Sequence, residues 1–179
     1  MPKLSGIGDA SARLIGNCIQ GRGAAAIGAT ASAVTTSNAI TSVIDGIARN
    51  VAAMTNQALV ALASADFVAA SSALAQAWRQ PAGLAGFYVQ PAATTVYYVL
   101  VVNAAGTVRT VQGTYQGQPL QPGIHALGDG TIPDVPDTWV PFAIVKVTTT
   151  ASTFTPGTTA LTGIATLYDV AVLPSVDRL

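Results

Sequence analysis

The segment TTVYYVLVVNAAGTVRTVQG, residues 94–113, constrains the fold most. β-Branched and aromatic residues dominate it, and these favour a pleated, half-buried surface over a helix. The eight residues Val96 to Asn103 carry no charge. A run of that kind predicts a strand covered on both faces. Asn103-Ala-Ala-Gly106 then supplies turn chemistry, and a second strand follows it.

Two further strand pairs are legible. Ile40–Ile44 and Ile47–Ala52 flank Asp45-Gly46, a hairpin dipeptide because both central positions of a type I′ turn need positive φ. Phe142–Thr149 and Ile164–Leu173 form a last pair, joined by a Thr-rich connection holding Pro156-Gly157. Between them, Gln116 to Pro141 holds five of the ten prolines (Pro119, Pro122, Pro133, Pro136 and Pro141) and reads as a long ordered loop. The fold class expected is mainly β, a sandwich or barrel-like antiparallel sheet.

Two segments break the pattern. Asn56 to Trp78 is Ala- and Leu-rich with no Pro or Gly, so propensity predicts a helical insertion over 56–80, although short strands also fit. Pro81 ends it. Residues 1–38 are a mixture of Gly, Ala, Ser and Thr with few large side chains. They are expected to form an extended amino-terminal arm that orders on a partner, leaving 39–179 as the β-rich domain.

Composition narrows the function. Of 179 residues, 50% are hydrophobic and 9% charged, with 8 basic and 8 acidic side chains. Average soluble chains are roughly 25% charged. A neutral, weakly charged surface promotes association. It argues against nucleic acid, which demands a basic stripe to displace counterions. The amino terminus does not read as a signal peptide, because Asp9 and Arg13 interrupt it, and no apolar run is long enough for a membrane helix. Mean hydropathy is +0.48, and subunit contact is the simplest cover for that apolar surface. Cys18 is the lone cysteine, which leaves no intramolecular disulfide and reads as a small buried residue.

Reactive groups are few. Gly21-Arg-Gly23-Ala-Ala-Ala26 fits the dinucleotide pattern G-x-G-x-x-A, and Asp45 lies at the spacing of a ribose-binding acid. No convincing strand precedes Gly21, and no βαβ alternation follows, so no cofactor is expected. His125 is the only histidine, with Asp129, Asp134 and Asp137 after it. That loop lacks the ligand spacing of an EF-hand, and Asp beside Gly or Pro is ordinary turn chemistry, so no metal is expected. No serine sits in a nucleophile-elbow context, and only His125 would supply a base. The chain does not read as an enzyme, and no catalytic residue is named.

The side chains left for function are contact formers. Phe87-Tyr88 and Tyr97-Tyr98, if in strands, point to opposite faces, so one of each pair turns away from the local core. Tyr88, Tyr98 and Trp139 are the aromatic interface candidates. Ile15, Ile19 and Ile27 are the arm residues expected to dock into a partner.

The order of these pieces has a likeness. VIDGIARNVAAMTNQAL, YYVLVVNAAGTVRTVQG, GDGTIPDVPDTWVPFAIVKVTT, FTPGTTAL and a closing YDVAVLP resemble tailed-bacteriophage virion proteins of the head decoration, cement or head-fibre kind. The resemblance spans about residues 38 to 174, and IPDVP, VPFAIVKV and YDVAVLP carry most of it. Asp66 to Gln90 departs from the pattern and residues 1–30 match none of it. The resemblance implies a non-enzymatic protein on the capsid exterior, made in the host cytoplasm. It implies binding to the major capsid protein as a homotrimer. A tail, collar or fibre component, and a carbohydrate-binding β module or adhesin, stand as alternatives.

Overall fold

In the computed structural model, residues 18–44, 47–63, 87–113, 135 and 139–170 are described. They form ten strands in three antiparallel sheets. The first sheet has the order β1-β4-β5, from Cys18–Ile19, Ile40–Ile44 and Ile47–Val51. The second, β2-β3-β6, comprises Ala25–Ile27, Ala33–Thr36 and Gln57–Ala58. The third and largest, β10-β9-β7-β8, comprises Ala165–Asp169, Trp139–Thr148, Thr95–Asn103 and Val108–Gln112. The arrangement is mainly β and sandwich-like, with no closed barrel and no helix among the described residues.

β7 is covered on both faces, as its charge-free sequence predicts. Val96, Tyr98, Leu100 and Val102 enter the main core, while Val99 and Val101 enter a second cluster with Leu62, Val111 and Trp139. The hairpin to β8 turns at Gly106, whose φ is +79°. The Asn103 side chain holds that turn by accepting from the backbone N–H groups of Ala105 and Thr107 at 3.0 and 2.9 Å. The main core gathers side chains from all three sheets, including Ile19, Val34, Ile40, Ile44 and Phe142.

Pro141 lies inside β9, a central strand where a missing N–H ought to break the ladder. The register explains its tolerance. Leu100 pairs with Ala143 and Val101 with Pro141, so Phe142 is an extra residue on β9. This β-bulge lets the consecutive Phe142 and Ala143 both reach the main core.

Three expectations change. Residues 18–38 are not an extended arm. They supply β1, β2 and β3, with Cys18, Ile19, Ala33 and Val34 buried. Their small residues let strands pack closely, so a segment that looked too sparse to order gains its burial from the other sheets. A helix does not begin at residue 56: Gln57–Ala58 is β6, and Ala61 makes a parallel bridge to Thr110. Sheet pairing has overridden Ala/Leu propensity there, and residues 64–86 lie outside the described residues. The expected Gln116–Pro141 loop ends earlier, because residues 139–141 belong to β9; of the rest only residue 135 is described.

Both further strand pairs form, with the outer strands running Ile47–Val51 and Ala165–Asp169; residues 171–173 lie outside the described residues. Ile44 pairs with Ile47 across a two-residue connection, and β9 pairs with β10 in register from Val147–Ala165 to Ala143–Asp169.

Candidate interaction surface

Of the six expected contact residues, three are interior. Tyr98 is 0% exposed, Ile19 2% and Trp139 3%. Strand parity explains Tyr98: it shares a face with Val96 and Leu100, so Tyr97 is the outward member of that pair. Ile19 pairs with Ser42 across β1 and β4, which puts it in the core rather than on a partner. Trp139 caps the second cluster. Ile27 is half-buried against the main core, and Tyr88 is half-buried. Ile15 lies outside the described residues.

Tyr98 is the centre of a sealed polar network. Its hydroxyl donates to Gln90 Oε1 at 3.1 Å and accepts from Gln112 Nε2 at 3.2 Å. Gln90 Nε2 donates to the carbonyls of Thr94 and Val147, and Gln112 also holds the Tyr88 backbone at both ends. The rings of Phe87 and Phe154 meet Tyr98 edge-on at 6.2 and 5.6 Å. Burial drives the phenol well above the usual tyrosine range, and the Gln112 hydrogen bond offsets only part of that. This network fixes structure. It offers no reactive group to solvent.

The G-x-G-x-x-A stretch holds no phosphate cradle. Ala25 begins a strand, not a helix whose N-terminus would face a pyrophosphate. Gly23 answers to packing, since a Cβ there would meet Ile40 and Thr36 side chains at 3.1 Å. Asp45, His125, Asp129, Asp134 and Asp137 lie outside the described residues. Among those described, no three His, Cys, Asp or Glu residues gather, and no helix is long and apolar enough to cross a membrane. Burial raises the Cys18 thiol pKa, in keeping with a packed, unreactive side chain.

What the surface does present is strand edge. Four of the five residues of β5 are exposed, and Val51 is half-buried. Ile47 at 52% and Tyr168 on β10 at 49% are among the most exposed large hydrophobic residues, with Val60 and Val89. β5 and β10 are each the outer strand of their sheet. Neither was legible as a surface in the sequence. The signal for β5 was the Asp45-Gly46 turn, which marks a hairpin but not which strand is left outside.

No protein family, curated protein or solved structure matches this chain. The likeness to phage virion proteins therefore rests on the sequence segments quoted above.

Proposed function

We propose that this chain is a structural protein of a tailed-bacteriophage particle that binds the outside of the capsid shell as a decoration or cement protein. It acts without catalysis, as a homotrimer, with the major capsid protein as its partner. The observation that carries this reading is β5, an edge strand with four of five residues in solvent beside a well-packed core. A strand exposed in that way gains little from its own chain and is a template for another. A neutral, weakly charged composition fits the same role, because nothing repels neighbouring copies.

A density map of the intact particle tests the reading. The expected result places the chain on the shell, at quasi-threefold positions between capsomers. Density on the tail or collar, or none anywhere on the particle, overturns it. Broad hydrolase screening of the purified protein tests the non-enzymatic part. Turnover abolished by His125→Ala would refute that part.

A further inference from the structure

Two of the outer strands, β5 and β10, carry backbone groups free of partners among the described residues, and these can be assigned. In the first sheet, Gln20 N–H donates to the Thr41 carbonyl at 2.8 Å. Antiparallel ladders alternate, so Thr41 and Val43 bond towards β1 while Ile40, Ser42 and Ile44 bond towards β5. On β5, Ile47, Arg49 and Val51 therefore bond inward, and Ala48 and Asn50 aim their N–H and C=O groups outward. In the third sheet, Thr148 N–H donates to the Ile164 carbonyl and Val170 N–H to the Phe142 carbonyl. Thr166 and Tyr168 thus bond to β9, and Ala165, Leu167 and Asp169 point outward. The Ala165 N–H is already taken by the Leu161 carbonyl.

We propose that β5 of one copy pairs antiparallel with β10 of the next, Ala48 opposite Asp169 and Asn50 opposite Leu167. This deepens the homotrimer reading above and rests on it. Among antiparallel registers, this one engages the free N–H groups of all four residues. Shifted by two residues one way, it meets the occupied Ala165 N–H. Shifted the other way, it keeps a single pair.

The side chains agree with a register fixed by backbone alone. Arg49 falls opposite Tyr168, a cation over an exposed ring. Ile47 falls opposite Val170 and diagonal to Tyr168, so two of the most exposed apolar side chains cover each other. β2 does not stand in the way on that face. Asp169 Oδ1 accepts from the Ala25 N–H, and Ala165 and Leu167 pack on the main core, so β2 meets β10 from the core side. Pairing β5 with its own copy is disfavoured, since the matching register sets Arg49 against Arg49 at a two-fold axis. Unlike strands in contact give a head-to-tail interface, the kind that closes into rings.

The test is crosslinking of the full chain. Arg49 and Tyr168 form a non-hydrogen-bonded pair in this register, with Cα atoms about 4.5 Å apart. That is within disulfide reach. Under mild oxidation, the Arg49→Cys/Tyr168→Cys double variant is expected to form covalent oligomers up to the trimer, while each single variant runs as a monomer. Separately, Ala48→Pro removes one outward N–H without touching the β4 ladder. It is expected to weaken self-association about tenfold by light scattering, with the thermal midpoint unchanged at a dilution where both proteins are monomeric. Crosslinking by Tyr168→Cys alone indicates β10 pairing with itself and overturns the proposal. So does a wild-type monomer at tens of micromolar, or an oligomer whose double variant fails to crosslink. Capsid co-sedimentation of the wild type reads the proposed function separately: binding with no crosslink rejects only this contact.

Discussion

The hydroxyl of Tyr98 lies 3.1 Å from Gln90 Oε1, and both residues are 0% exposed. Gln90 in turn ties the strand ends together. Its backbone exchanges hydrogen bonds with Phe154 at 2.8 and 3.0 Å, and its side chain reaches the Val147 carbonyl at 3.1 Å. One buried polar pair thus joins β7, β9 and the Thr-rich connection.

Tyr98→Phe strips the hydroxyl and leaves Gln90 Oε1 without its donor in a dry site. An orphaned buried polar group costs about 1–3 kcal/mol. Urea unfolding is expected to show a loss of that size with the slope unchanged. A neutral result would mean the network contributes nothing.

The same phenol sets an alkaline limit. Its folded pKa is raised by burial above the unfolded value of about 10. The native state therefore holds the proton when the unfolded chain has released it. The stabilisation is complete below pH ~10 and declines as pH rises beyond it. Thermal midpoints between pH 8 and 11 are expected to drop more steeply in the wild type than in Tyr98→Phe.

Thr110 is 2% exposed and its Oγ1 has no hydrogen-bond partner. Its backbone N–H is satisfied by the Val60 carbonyl at 2.7 Å, so the side chain can change alone. Thr110→Val keeps the shape and removes the unmet hydroxyl. An increase in stability of about 1 kcal/mol is expected in chemical denaturation.

Gly157 has φ +75°, and a Cβ there would come within 2.9 Å of the Leu59 carbonyl oxygen. Both the conformation and the backbone neighbour oppose a side chain. Gly157→Ala is expected to cost about 1–3 kcal/mol, read as a lowered denaturation midpoint.

Deleting residues 1–30 removes β1, β2 and the buried Ile19. Losing one large buried side chain alone costs about 2–5 kcal/mol, and β4 would lose its ladder partner along one edge as well. The truncated chain is expected to lose its cooperative unfolding transition. A truncated chain that unfolds as sharply as the full one would restore the arm reading for this segment.

Local chemistry settled a good part of this protein. The charge-free run of β7 required cover on two faces, Asn103–Gly106 required a turn, and Asp45-Gly46 required a two-residue connection. Those features need only neighbours in sequence, so periodicity and turn residues suffice to read them. Tertiary structure decided the rest. Whether Tyr97 or Tyr98 faces the core depends on which face of β7 meets the main core, and a one-residue shift reverses it. Pro141 is acceptable only because β9 bulges against Leu100. Ile19 and Val34, in a stretch of small residues, become core because β4, β7 and β9 supply the surface they bury against. The open edges of β5 and β10 are likewise invisible in sequence. Which strand of a hairpin is left without a neighbour is fixed by long-range pairing, whose loop-closure cost and packing gain are spread over the whole chain.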